Sequence, residues 1–273
     1  MLPVTTPRTG FSYLDRVLDG PFSVLAFAHR GGAHLPGNEG LENTLLAFRR
    51  AVELGYDYLE TDVHVTRDGV LLAFHDSVLD RVTDRQGEIA ALSLAEVREA
   101  RVDGREPVPT LAELFDAFPA ARFNIDLKSD GAVSVLAEFI AARDAWDRVM
   151  VGSFSRRRTA RFRALTGQRV PTSATLGQIL MFLLLPSARL ASLLAGHGGA
   201  ALQIPHRRGR LVVATTGLVR RAHASGRHVH VWTIDDPDEM DLLLDRGVDG
   251  IFTDRTDILR AVLARRGQWR ESS

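Results

Sequence analysis

With 273 residues and 45% hydrophobic side chains, the chain has room for one large α/β domain or two smaller ones and buries a substantial core. Its 34 basic and 34 acidic residues cancel, which argues against nucleic acid as a partner, and the absence of cysteine excludes disulfides and thiolate metal sites. The first twenty residues hold Arg8, Asp15, Arg16 and Asp19 and no long apolar run, so no secretory signal is expected and a cytoplasmic setting is.

Residues 1–22 read as an N-terminal extension and 266–273 as a tail. Between them, apolar runs alternate with helical patterns. The alternation predicts strands at 24–29, 57–64, 70–75, 122–128, 147–152, 169–174, 228–233 and 248–253. Helices are predicted at 44–54, 93–101, 110–117, 131–143, 155–165, 215–225, 236–245 and 256–265. A short apolar piece at 200–204 leaves the strand count open. This order predicts an α/β fold, a (β/α)8 TIM-like barrel formed as a single domain by residues 23–265. The barrel is expected to be somewhat irregular. Only Arg67-Asp68-Gly69 joins the second and third strands, too short for a crossover helix, so they should form a hairpin.

Four polar signatures fall at or near strand ends: His29-Arg30-Gly31, Glu60-Thr61-Asp62, His75-Asp76 and Asp126-Leu127-Lys128. Side chains alternate along a strand, so Glu60, Asp62 and His64 share one face, as do Asn124, Asp126 and Lys128. Three converging carboxylates, Glu60, Asp62 and Asp126, would repel one another without a cation. Oxygen ligands favour hard Mg2+ or Ca2+ over Zn2+. Taken singly, each is equally a solvated charge at a strand end. His29 and His75 suit a general acid and base pair, and Arg30 and Lys128 suit a phosphate. Lys128 is the one lysine among the 34 basic residues, which points to a need for a compact ammonium or to a chance survivor.

The stretch 176–195 is strongly apolar but broken by Pro186 and charged at Arg189, which makes it a poor spanning helix. It reads as a buried helix and turn, with a lid or a weak membrane or lipid contact as the alternative. His228 and His230 share a strand face with Trp232. Trp232 either packs on an alcohol moiety of a substrate or fills the core. His34, His197, His206 and His223 read as solvated or locally packed.

At these residues the chain resembles the glycerophosphodiester phosphodiesterase family. The matching segments are His29-Arg30-Gly31, Glu42-Asn43-Thr44, Glu60-Thr61-Asp62-Val63, Phe74-His75-Asp76 and Asn124-Ile125-Asp126-Leu127-Lys128. Val231-Trp232-Thr233 and Asp249-Gly250-Ile251-Phe252-Thr253-Asp254 match its last two strands. The resemblance implies a (β/α)8 barrel and metal-dependent hydrolysis of small glycerophosphodiesters to glycerol 3-phosphate and an alcohol. It implies His29 and His75 as the acid and base, and Glu60, Asp62 and Asp126 as metal ligands. Arg30 and Lys128 become the phosphate contacts, with Glu42 supporting the site.

Two departures stand out. The segment between Gly31 and Glu42 is longer than the usual loop, and the third ligand is Asp126 where the family usually has Glu. The loop after the third strand is expected to be short, with no inserted domain. The resemblance also touches the sphingomyelinase D group, so a lipid-directed phospholipase D-like activity is one alternative. A non-catalytic phosphodiester-binding barrel is another. Head group, native metal and oligomeric state are left open by the sequence.

Overall fold

The computed structural model describes residues 6–19, 24–196 and 198–269. His197, residues 1–5 and 20–22 of the predicted extension, and residues 270–273 of the predicted tail lie outside them. The main sheet contains β1 (Leu25–His29), β2 (Tyr58–Val65), β3 (Leu71–Ala73), β4 (Arg122–Leu127), β5 (Val149–Gly152), β6 (Ala201–Pro205), β7 (His228–Trp232) and β8 (Gly250–Thr253). Seven of these run parallel in the order β5-β4-β2-β1-β8-β7-β6.

Residues 171–174 join the two free edges of that ribbon. On one side Val151 N–H donates to the Pro171 carbonyl (3.0 Å) and Ser173 N–H to that of Val151 (2.9 Å). On the other, Ala200 N–H donates to Thr172 (2.8 Å) and Ala174 N–H to Ala201 (2.8 Å). Both connections are parallel bridges, Val151 with Thr172 and Ser173 with Ala201. The short segment is therefore a stave, and with the seven strands it closes an eight-stave barrel.

The staves are not all those predicted. The strand expected at 70–75 is β3, antiparallel to the end of β2 through Val63–Ala73, His64–Leu72 and Val65–Leu71. It forms the predicted hairpin and stands outside the ring, because a three-residue connector cannot carry a crossover. The apolar piece at 200–204 takes the vacant place as β6.

Helices α1 (Leu45–Glu53), α2 (Leu111–Ala117), α3 (Ala132–Ala142), α4 (Arg156–Leu165), α5 (Leu176–Leu184), α6 (Ala188–Ala195), α7 (Thr216–His223), α8 (Pro237–Asp245) and α9 (Thr256–Arg265) follow the staves. Most of their starts carry side-chain caps, α3 and α9 excepted. Thr44 accepts from Ala47 N–H, Thr110 forms a capping box with Glu113, and Asp236 accepts from Glu239 N–H ahead of Pro237. The stretch 176–195 is α5 and α6 with the break at Pro186, burying Gln178, Phe182 and Ala191. No helix among the described residues is long and apolar enough to cross a membrane.

The helix predicted at 93–101 shrinks to one turn, Leu94–Val97, and Arg101–Val102 pairs with Glu106–Pro107. The expected short loop after the third strand is also corrected. The chain from Phe74 to Val108 wraps its own small core, with Leu79, Ile89, Val97, Ala100 and Val102 buried in it.

Two apolar layers hold the barrel. The larger lies between staves and helices. The smaller fills the interior with Leu25, Phe27, Tyr58, Met150, Ala201 and Phe252, inward positions of five of the staves. Phe27 and Phe252 stack there at 4.2 Å. Tyr13 and Leu14 complete this cluster from the N-terminal segment. The Tyr58 hydroxyl donates to the Tyr13 carbonyl (2.7 Å) and His228 Nε2 to the Pro7 carbonyl (2.9 Å). Residues 7–15 thus plug the barrel at the end opposite the strand C-termini. His228 and His230 point inward, as the alternation predicts, and both are fully buried. Burial pushes His230 down to about 3, so it is a neutral core residue.

Leu14 is fully buried in this plug. Leu14→Ala should destabilise the fold by about 2–5 kcal/mol, read by urea unfolding. A loss below about 0.5 kcal/mol, the range of surface substitutions, would show that the segment does not seal the barrel.

Candidate active site

The polar signatures converge at the C-terminal ends of the staves, where barrels place their chemistry. Register sets the neighbours: His29 lies opposite Glu60, Glu60 opposite Asn124, and Asp62 opposite Asp126. Beyond β1 the chain turns sharply. Arg30 is left-handed (φ 50°), an uncommon state for a non-glycine residue. Its N–H donates to both the backbone oxygen and the Oε2 of Glu60, each at 3.1 Å, and its carbonyl accepts from Asn43 N–H (2.9 Å). Gly31 follows at φ +84°, where a Cβ would lie 2.9 Å from both the Ala47 Cβ and the Phe48 nitrogen. The turn therefore sits directly on the first turns of α1. The longer loop from 32 to 41 folds back as successive turns around buried Asn38, whose amide donates to Gly32 O (2.9 Å).

The acidic centre is balanced unevenly. Lys128 Nζ lies 3.0 Å from Asp62 Oδ1 and 2.7 Å from Asp126 Oδ2, bridging the two strands. Arg30 Nε is 3.3 Å from Asp62 Oδ2, and Asn43 Nδ2 donates to the same oxygen (3.3 Å). Burial opposes the ionised form of Asp62, but Lys128 and Arg30 overcome it and hold the pKa below the ordinary value. Asp62 and Asp126 in turn raise that of Lys128 against its burial. Glu60 differs. Among the described residues it pairs with no Arg or Lys, only with His29 Nε2 at 3.8 Å. Burial and the neighbouring Asp62 charge push its carboxyl up to about 7.

Each candidate catalytic histidine has a carboxylate behind it. His29 Nδ1 donates to Asp254 Oδ1 (2.8 Å) and His75 Nδ1 to Asp76 Oδ1 (2.6 Å). Burial works against the protonated form of His29, yet Glu60 and Asp254 outweigh it and raise the pKa above the usual histidine value. The His75 backbone carbonyl accepts from His64 Nε2 (3.1 Å). Arg81 clamps Asp76 (2.6 Å) and Glu42 (2.7 and 3.0 Å), and Glu42 also accepts from Arg30 Nη1 (3.1 Å). This network ties the 74–108 excursion to the barrel mouth.

The structure brings His29, Arg30, Glu42, Glu60, Asp62, Asp126 and Lys128 into one charge network, with His75 joined to it through Asp76 and Arg81. Trp232 stands at the same mouth, half-buried, its ring edge-on to that of Phe154 at 6.0 Å. Among the described residues, the one trio of ligand atoms lying within 4.8 Å of one another is His34, Asp235 and Asp254, not Glu60, Asp62 and Asp126. His34 is exposed, whereas His206 and His223 are buried in pairs with Glu239 and Asp249. Sequence reasoning missed Asp254, Arg81 and Asn43 as site residues. Asp254 ends the last stave, the position that marks the other site residues, but its pairing with His29 spans 225 positions.

The sequence matches the profile of the Glycerophosphoryl diester phosphodiesterase family over residues 29–258. It is 41% identical over 249 residues to Probable glycerophosphodiester phosphodiesterase 2 of Mycobacterium tuberculosis, covering 90% of this chain and 92% of that one. It is 27% identical over 271 residues to Lysophospholipase D GDPD1 of Homo sapiens, covering 86% and 85%. The crystal structure of a putative glycerophosphoryl diester phosphodiesterase from Silicibacter pomeroyi superposes with a TM-score of 0.75 at 25% identity, covering 94% and 99%. A match extending over most of its length, on a barrel of the same form, shows that the chain belongs to the glycerophosphoryl diester phosphodiesterase family.

Proposed function

We propose that the protein hydrolyses small glycerophosphodiesters to glycerol 3-phosphate and an alcohol, with His29 and His75 exchanging the protons. The observation that carries this reading is the pair of histidine–carboxylate dyads at one barrel mouth. A carboxylate on Nδ1 fixes the tautomer and leaves Nε2 to the reacting groups. His29 holds its proton more firmly than an ordinary histidine, which suits donation to the leaving alcohol oxygen. His75 then takes the proton of the attacking nucleophile. Arg30 and Lys128 face the phosphate, Trp232 packs on the glycerol or alcohol moiety, and Glu42 braces Arg30.

Glu60, Asp62 and Asp126 fit a hard divalent cation, Mg2+ or Ca2+. Glu60 is a buried carboxylate beside another and, among the described residues, has no cationic side-chain partner other than His29, so its ionised form calls for added positive charge. When bound, the cation would neutralise these oxygens and polarise the phosphate. Asp126 is shorter than Glu by one methylene and rests on Lys128, which would hold the carboxylate against Asp62.

A lipid-directed activity is the second reading. The name of the human relative and the exposed Leu176 that opens α5 at the barrel mouth favour it. The discriminating assay offers glycerophosphocholine in solution and lysophosphatidylcholine in micelles. Glycerol 3-phosphate from the first is expected. Release of lysophosphatidic acid from the second alone would favour the lipid reading, and no product in a single-turnover assay would leave only a binding barrel.

His29→Ala and His75→Ala should each lower turnover by roughly two to four orders of magnitude. The pH profile should be bell-shaped, its limbs belonging to the coupled pair. Asp254 acts through His29. Its negative charge raises the His29 pKa, so Asp254→Asn should move the alkaline limb to lower pH, where the donor loses its proton earlier. An unmoved profile, or near-normal turnover in His75→Ala, would remove these roles.

Lys128→Arg should lose most activity while staying folded, since a planar guanidinium cannot occupy the point between Asp62 and Asp126 held by one ammonium. Lys128→Ala should be at least as poor. Parent-like turnover of Lys128→Arg at matched thermal stability would show that charge alone matters.

A further inference from the structure

Three consecutive staves, β5, 171–174 and β6, end side by side at the barrel mouth, and the segments that follow them are unusual. After β5 comes Phe154, 79% exposed, then the exposed Arg156 and Arg157. After 171–174 comes Leu176, 56% exposed, opening α5. After β6 comes a two-stranded hairpin in which Arg207–Arg208 pairs with Leu211–Val212. Arg207, Arg208 and Arg210 are exposed there beside Leu211, 55% exposed. Arg158 is tied to Asp130 at 2.6 Å, yet the other five arginines form no ion pair among the described residues.

The hairpin is not a loose loop. Its base is His206, only 4% exposed, whose ring pairs with Glu239 and Arg246. The His206 carbonyl accepts from Val213 N–H (2.9 Å) and Ala214 N–H (3.2 Å). A fixed base thus presents a tip of cationic and apolar side chains to solvent. The acidic residues Asp235, Asp236 and Asp238 follow the next stave, β7. Helix α6 stands apart from the cationic tip. The Ala188 carbonyl accepts from Ser225, and the Ser192 hydroxyl from Arg227, at the foot of β7.

Unpaired arginines alone are a solvated face, and single exposed leucines are ordinary. Together on one rim they have the chemistry of interfacial segments, in which apolar side chains enter the acyl boundary while cations meet anionic head groups. We infer that this rim is a docking surface for an anionic lipid bilayer, with the barrel mouth facing the membrane plane. Charge complementarity selects this occupant over a second copy of the chain, because two such rims would repel. Vesicle binding does not depend on the proposed reaction, and soluble turnover serves as the control that separates the rim from the substrate site.

The experiment is co-sedimentation of the full chain with phosphatidylcholine vesicles and with phosphatidylglycerol-rich vesicles at low salt. The parent should sediment with the anionic vesicles only and be released by salt. An arginine near an anionic surface favours binding by about fivefold, so the triple variant Arg207→Ser, Arg208→Ser, Arg210→Ser should lower partitioning by about a hundredfold. Leu211→Ser should weaken it as well. Both variants should keep the parent's thermal unfolding and its turnover of a soluble glycerophosphodiester. Failure of the parent to bind anionic vesicles would overturn the inference, as would parent-like binding by the triple variant. So would an equal loss of soluble turnover, which would assign the hairpin to the substrate site, or self-association abolished by the same substitutions, which would assign it to a dimer.

Discussion

Lys128 stands between Asp62 and Asp126, and the rest of the mouth is arranged around that bridge. The two carboxylates face each other because β2 and β4 pair in parallel with Asp62 opposite Asp126. Like charges at that separation are tolerated only with a cation between them. One ammonium serves both, and Arg30 adds a second positive charge on Asp62. Glu60, two residues earlier on the same face, is left over, with its carboxyl raised to about 7. An oversupply of buried negative charge beside two histidines is a costly arrangement for stability, and perturbed groups of this kind cluster at functional sites.

The fold is what makes the oversupply tolerable. The ring of staves fixes strand registers, so the charged groups cannot drift apart to relax. The interior below them is packed with Phe27, Phe252 and neutral His230 and sealed by Tyr13 and Leu14. Above, the 74–108 excursion is tied to the rim through Arg81, which joins Asp76 to Glu42 and thereby couples the His75 dyad to Arg30. His29 ends a stave whereas His75 follows β3 outside the ring, yet each is oriented by the same device, a carboxylate on Nδ1.

Much of this was legible in the sequence. Period-two alternation put Glu60 with Asp62 and Asp126 with Lys128 on inward faces, and the short Arg67–Gly69 link marked a hairpin. The stave at 171–174 falls within the strand expected at 169–174, but the exchange of 70–75 for 200–204 was harder to read, since apolar runs of four or five residues do not say which neighbour they pair with. The one-turn fate of 93–101 shows local helical pattern giving way to the small core around Val97 and Val102. The Asp254–His29 pair was invisible because it depends on ring closure between the first and last staves. The plug by residues 7–15 escaped for a related reason. Nothing local to Tyr13 reports that the barrel interior lacks a floor.

If the excess carboxylate charge at Glu60, Asp62 and Asp126 holds a divalent cation, as proposed, turnover depends on that cation. The most direct measurement is glycerol 3-phosphate release from glycerophosphocholine by exhaustively chelated protein, before and after Mg2+ or Ca2+ is returned, with metal content determined in parallel. No turnover is expected from the chelated protein, with recovery on adding either ion. Full turnover by protein shown to contain no metal would contradict this dependence.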